Sequence, residues 1–503
     1  MAQPLQNITI SSPAFAGLNT QGSPTELPPA FASVANNCII DKKGRIAARR
    51  GETLLTDATG LNTDIKSVYE FVAEDGTTTV FSAGNNQIYT GVTTLTDVTP
   101  AGASITADNW SIASLANKLY FFQKDHEPMV YSPANGLELI TAATGYSGTA
   151  QEGNKVLAAF GRLWVMDITG DRKTIYWSDL LNGLVWDSGS AGSIDLTEVW
   201  PTGYDVVVSA EAHNDFLVIF GESSVLVYRG GNDPATMSLS DSLVNIGLVQ
   251  RDAVANTGKD LVFLDNSGVR SLMRTVQEKS SPIGDISRNV NQDIKTATSI
   301  ENGVIKMHYN PENSFILLTF PRSSKTYCFD TRFPLEDGSL RSTTWSLVPQ
   351  AFCRTSSGLL YFGSADGISS YSNYLDLSAT YVMSYFSHPL AFGDSSRLKI
   401  LKKVNLTTEG GSGDNAVLNW GYDYTSSFKK QQFTIRDFNP AYFGEDEYNT
   451  VGVEFNEYEA LNREKINTSG QGVVVTVGVE NTVDGAPFAI QEINIHALIG
   501  RMV

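Results

Sequence analysis

Residues 214–231, NDFLVIFGESSVLVYRGG, decide the fold. An apolar run at 216–220 meets a Gly-containing turn at 221–223, and a second apolar run follows at 225–228. Two short apolar runs around such a turn predict a β-hairpin buried on both faces or nearly so. The same shape recurs at residues 117–132, 161–179, 259–273, 314–330 and 358–372, with a weaker first copy at 78–91. Aligned on Val80, Leu119, Leu163, Leu217, Leu261, Leu317 and Leu360, the hairpins follow one another at intervals of 39 to 56 residues. One strong hairpin in every 40–50 residues or so is the pattern of a β-propeller. A lone hairpin is marginal in water, and packing such units face to face around an axis buries their apolar faces and shields their edges.

The chain is therefore expected to be all-β. A propeller-like domain of five to seven blades is assigned to residues 61–375, and the 56-residue interval is assigned to an inserted helix at 285–296, capped by Asp285 with Ile286, Val290 and Ile294 on one face. From residue 376 the pattern changes to alternating strands at 380–386, 399–407, 416–423, 431–437, 450–455, 472–479 and 489–497, which predict an antiparallel β-sandwich over 376–503. Residues 1–60 do not fit the repeat and read as an irregular arm for docking or assembly. Pro28 and Pro29 open a short predicted helix, and a hairpin follows around the turn at 41–44.

At 503 residues, two or three domains are expected. A net charge of −18 disfavours non-specific gripping of DNA or anionic membranes, though a weakly repelling wall would let a duplex slide. Cys38, Cys328 and Cys353 lie far apart without a CxxC pair, which argues against a zinc site or disulfide framework and for a reducing compartment. The N-terminus lacks the basic and apolar regions of a signal peptide, and no stretch approaches the ~18 apolar residues of a membrane span. A soluble protein made in a cytoplasm, with no cofactor, is the expectation.

No constellation of residues reads as an active site. His126, His213, His308, His388 and His496 are scattered and read as packed or surface histidines. There is no GxSxG elbow, and Gly470-Gln471-Gly472 leads into a strand, not a phosphate-binding helix. The turns at 265–268 and 364–367 are faintly like the Asp-containing turns of sialidases, but Asp, Asn and Gly are what tight hairpin turns favour anyway. Trp177, Trp186 and Trp420 would suit sugar stacking if exposed, and core packing is the preferred reading.

Two charged clusters remain. Lys42, Lys43, Arg45, Arg49 and Arg50 fall within nine positions and are candidates for contact with DNA or an acidic partner, against the blander reading of a solvated hairpin. Glu445, Asp446, Glu447, Glu454, Glu457 and Glu459 form an acidic stretch, a candidate channel wall or surface loop, without the spacing of a calcium-binding EF-hand.

Residues 16–51, AGLNTQGSPTELPPAFASVANNCIIDKKGRIAARRG, resemble the opening of the tail tube (nozzle) proteins of short-tailed bacteriophages, the podovirus family that includes tail tubular protein B and packaged-DNA stabilisation protein. The shared outline is Gly17, the Gln-x-Ser-Pro step at 21–24, a short helix at 30–35, Asn37, and a hairpin ending in Arg50-Gly51. The 214–230 hairpin and FGDSSRLK at 392–399 are similar to further parts of that family. The resemblance implies a non-enzymatic virion subunit. Six copies would ring the DNA channel below portal and adaptor, retain packaged DNA and conduct it on ejection, with a tail fibre or needle as a further partner. Acidic residues facing the lumen would keep passing DNA from sticking. A propeller adhesin or glycosidase acting on host-surface glycans is the alternative.

Overall fold

In the computed structural model, residues 5–24, 26–57, 63–149, 151–278, 286–411, 416–435 and 461–502 are described. Each of the seven apolar anchors falls in the second strand of an antiparallel unit, and the units succeed one another around an axis as a β-propeller. Five units are separate four-stranded sheets and one, Val254–Asn256, Leu261–Asp265 and Gly268–Ser271, has three strands. The remaining unit, sixth in chain order and running from Lys306–Asn310 to Arg341–Trp345, is one arm of a ten-stranded sheet.

The apolar runs bury both faces because each blade packs against the next. Trp164, Met166, Ile175 and Trp177 of the third blade meet Leu217, Ile219, Leu226 and Tyr228 of the fourth in one cluster. Phe71, Phe81 and Ile88 of the first meet Leu119, Phe121 and Met129 of the second in another. Full burial of one such side chain stabilises by roughly 1.5–3 kcal/mol, so the between-blade layers dominate the propeller's stability. Asn117 and Asn214 turn their hairpins at φ 57° and 53°, the left-handed region that asparagine tolerates best after glycine.

The ring closes at two places. The inner strand of the last blade, Ala351–Arg354, packs beside that of the first, Ile65–Val72, over Ile65, Val68, Ala351, Cys353 and Ile368. The outer strand of the last blade is Gly51–Leu54, borrowed from the N-terminal region and paired with Gly367–Ser372. A strand more than 300 positions upstream thus caps the edge that the last hairpin would otherwise leave open.

The C-terminal strands form two facing sheets, as the alternation predicts. The seven-stranded sheet contains Leu461–Asn467, Arg397–Gly410, Gln471–Gly472 and Phe488–Met502, and the strands Ile46–Ala48, Cys38–Ile40 and Leu5–Ser11 of the N-terminal region complete it. The ten-stranded sheet continues from the propeller through Phe31–Asn36 to Tyr381–Ser387, Val475–Val483, Ala416–Tyr422 and Lys429–Phe433. Val404, Leu406, Ile490 and Ile493 from one sheet and Tyr385, Leu418, Val477 and Val479 from the other share a core.

Two sequence expectations are corrected. The helix expected after Pro28 is the strand Phe31–Asn36, because the gap between Arg341–Trp345 and Tyr381–Ser387 is filled by this segment and tertiary pairing overrides the local proline signal. In the insert, Ile286, Val290 and Ile294 are buried together, but the α-helix begins later, at Asn291–Ile300, after a single 3₁₀ turn. The proposed cap Asp285, the strand at 450–455 and the acidic stretch at 445–459 lie outside the described residues. A second helix, Leu272–Glu278, had no clear periodic signal.

Candidate binding site at the propeller axis

Charged side chains and polar groups from five of the units meet at the propeller axis. Arg251, only 6% exposed, precedes the strand Val254–Asn256 and reaches across to its neighbours. Its Nη1 donates to the Asn154 carbonyl at 2.6 Å and to Asn154 Oδ1 at 2.8 Å, and its Nη2 donates to the Asn109 carbonyl at 2.9 Å. Nε and Nη2 also grip the adjacent Asp252 carboxylate at 2.9 and 2.8 Å. Asn109 Nδ2 donates to Asp252 at 3.0 Å, while Lys306 Nζ donates to Asn109 Oδ1 and to the Lys66 carbonyl, both at 2.7 Å.

Burial works against the Asp252 charge, yet Arg251 and Lys306 hold its carboxyl well below the usual range. Burial together with the nearby cations Arg251 and Lys155 lowers the Lys306 ammonium to about 8, against the pull of Asp252. The cluster is therefore a charged septum whose donors bind blade backbones, and two chambers adjoin it. Arg251 and Asp252 line both, one of about 850 Å³ and one of about 210 Å³.

Around the larger chamber, Asp167 accepts from Arg172 Nε at 2.7 Å and Asn154 Nδ2 at 2.8 Å, and Arg172 also reaches Glu222 at 3.2 Å. Asp108 accepts the Asn86 N–H at 2.7 Å, and burial raises its carboxyl. Lys155, Lys306 and His308 line the smaller chamber, with Lys155 paired to Glu211 at 2.8 Å. Such walls can hold a small polar or charged ligand.

The other candidates are placed as follows. Arg45 and Arg49 are buried and work within the chain: Arg45 pairs with Asp41 and Glu409, and Arg49 forks onto Asp376. Lys42, Lys43 and Arg50 are exposed, so they alone present this cluster's charge to solvent. Glu445, Asp446 and Glu447 lie outside the described residues. Trp177 and Trp420 are buried and Trp186 is half-buried, its indole N–H donating to the Gly183 carbonyl. Among the described residues, no group of three His, Cys, Asp or Glu side chains is arranged to hold a metal. The three cysteines are buried free thiols whose burial raises them, Cys353 to about 12, so none is a ready thiolate. In Asp265–Gly268 and Ser364–Gly367 the last glycine has φ of 138° and 125°, and Asp265 binds Arg270 and the Ser267 N–H, as turn residues do.

Sequence reasoning missed the axial cluster. Lys155, the Arg251–Asp252 pair and Lys306 lie far apart in the chain and form no motif. Only the propeller closure brings them together.

No protein-family model matches the chain, and no curated protein matches it. Among solved structures, a streptogramin B lyase is similar at 13% identity and TM-score 0.39, over 61% of this chain and 93% of the other. The WD40 domain of Neurospora crassa Pan2 is similar at 8% identity and TM-score 0.36, over 63% and 91% respectively. Hsv2 of Kluyveromyces lactis is similar at 10% identity and TM-score 0.32, over 65% and 93%. Likeness at this level carries nothing about activity.

Proposed function

We propose that the chain is a structural subunit of a phage tail, one of six that ring the DNA channel below portal and adaptor. The observation that carries this reading is the ten-stranded sheet. It runs from a propeller unit into the sandwich through Phe31–Asn36, a strand where the resemblance to the nozzle family implied a short helix, inside the 16–51 stretch that carries that resemblance. Hydrogen bonds reinforce the junction: the Asn37 N–H donates to the Thr344 carbonyl at 2.6 Å, and Trp345 Nε1 and Thr343 Oγ1 both donate to the Cys38 carbonyl. A subunit tied together by one sheet transmits load without a hinge, which suits a tube that must withstand the pressure of packaged DNA.

The propeller axis also supports an intersubunit channel over an intrasubunit one. Arg251 bridges blades across the axis, and the larger chamber beside it has the volume of a small-molecule pocket, far too small for a duplex. DNA would then pass between copies, along a wall made by subunits of net charge −18 each, which repels the phosphate backbone. In this reading the protein is made in the host cytoplasm and resides in the virion tail. A cyclic ring needs a heterologous interface that closes.

Sedimentation of the purified chain with portal–adaptor complex tests the proposal. Co-sedimentation at six copies per complex is expected. A chain that ignores the complex while binding or hydrolysing host glycans would replace this reading with the adhesin or glycosidase one.

A further inference from the structure

The smaller axial chamber carries more positive charge than its own carboxylates offset. Arg251, Lys155 and Lys306 converge there, against Asp252 in the septum and Glu211, the partner of Lys155. One cation is left in excess, inside a protein whose net charge is −18. Arg251 is saturated by its five bonds, but the two lysines are not. Lys155 Nζ, 14% exposed, donates to one acceptor, and Lys306 Nζ, 12% exposed, donates to two, with Asp252 farther off at 3.8 Å. An ammonium has three N–H groups, so donors remain at both.

His308 adds an independent sign. It stands two residues beyond Lys306 on the strand Lys306–Asn310, and alternate strand residues share a face. Its ring stacks on Phe352 at 5.2 Å, and its buried Nε2 has no partner. A buried polar atom without a partner costs roughly 1–3 kcal/mol, and a chamber of about 210 Å³ at its side has room for several atoms beyond the ~30 Å³ share of one water.

The geometry points to a binding site for one small tetrahedral oxyanion, of the phosphate or sulfate class, held by Lys155, Lys306 and His308. The anion offsets the excess positive charge, takes up the remaining lysine N–H groups and gives His308 Nε2–H an acceptor. Phosphate suits this donor set because its oxygens accept from several directions, whereas a planar carboxylate would leave one donor group unmet. Held by side chains of the third and sixth units, it would tie two blades to each other beside the septum. The inference is independent of the tail reading and holds for any propeller with these residues.

Calorimetric titration of the full chain with inorganic phosphate at neutral pH and constant ionic strength, paired with the His308 ring resonances in NMR, is the test. One saturable site is expected, with the His308 Nε2 signal shifting in step, displacement by sulfate, and no effect of chloride. Lys155→Gln and His308→Gln, both outside the septum, should each weaken phosphate by about tenfold or more, the loss of one charge-assisted contact. No saturation up to about 50 mM phosphate, where even a weak site would register, overturns the proposal. So does tighter binding of acetate than of phosphate, or equal affinity in wild type and both variants.

Discussion

Replacing Arg49 with methionine should unfasten the N-terminal region from both domains at once. Arg49 is fully buried, and its guanidinium donates through Nε to Asn37 Oδ1 at 3.0 Å and through Nη1 to the Arg50 carbonyl at 2.9 Å. Nη1 and Nη2 fork onto Asp376 at 2.8 and 2.6 Å. The cation lies 4.3 Å from the Tyr381 ring centroid and 5.8 Å from that of Trp345. Methionine keeps the apolar stem but strands Asp376 beside Glu52, whose carboxyl burial already raises. Removing one partner of a buried ion pair costs about 3–5 kcal/mol. Asp376 is 24% exposed, so water reaches its stranded charge and sets the loss near the lower end, about 3 kcal/mol. The lost cation–π contacts add about 1 kcal/mol. The assay is urea unfolding followed by tryptophan fluorescence, with Trp345 as the local reporter, read from the midpoint at unchanged slope. Asp376→Asn, which keeps an acceptor, should cost about 1–2 kcal/mol. The double variant Arg49→Met/Asp376→Asn should fall short of the summed losses of the two single variants by at least ~1.5 kcal/mol. An Arg49→Met variant within about 1 kcal/mol of wild type, or strict additivity in the cycle, refutes the reasoning.

Gly51→Ala should open the propeller seam, because a Cβ there would lie 1.9 Å from the Leu375 carbonyl oxygen, and the backbone must move to admit it. A loss of about 2–3 kcal/mol is expected, with faster hydrogen exchange at Ser369–Ser372. Unchanged exchange there would mean that Gly51–Leu54 does not close the ring. His308 predicts an acid limb in stability, since burial, followed by the Arg354 charge and opposed by Glu312, lowers its imidazole to about 4. Above pH 6.5 both folded and unfolded states hold it neutral. As pH falls from 6.5 towards 4 the unfolded chain takes a proton that the folded one refuses, so stability falls, by up to about 3 kcal/mol. His308→Phe, which preserves the stack on Phe352, should flatten that part of the pH profile, and an unaltered profile would contradict the assignment.

The propeller was legible because its signal is local and repeated: each hairpin carries its own apolar run and turn. The sandwich strands were legible for the same reason, through alternation. What stayed hidden depends on partners far away in sequence. Leu5–Ser11 pairs with Phe488–Met502, and Phe31–Asn36 with Tyr381–Ser387, across hundreds of residues. Nothing local in 28–37 distinguishes a strand seeking that gap from a helix opened by two prolines. Arg45 and Arg49 looked like solvated charge because the carboxylates that permit their burial, Glu409 and Asp376, lie more than 300 positions downstream. The axial cluster was illegible in the same way, since Lys155, Arg251 and Lys306 become neighbours only when the blades close.

The proposal is that copies of this chain build a ring around DNA. Electron microscopy of the purified chain, alone and mixed with portal–adaptor complex, tests it most directly. Sixfold class averages are expected in at least one sample, with an open channel between subunits and the propeller axes closed. Monomers in both samples, or a ring whose only passage runs through each propeller, would contradict it.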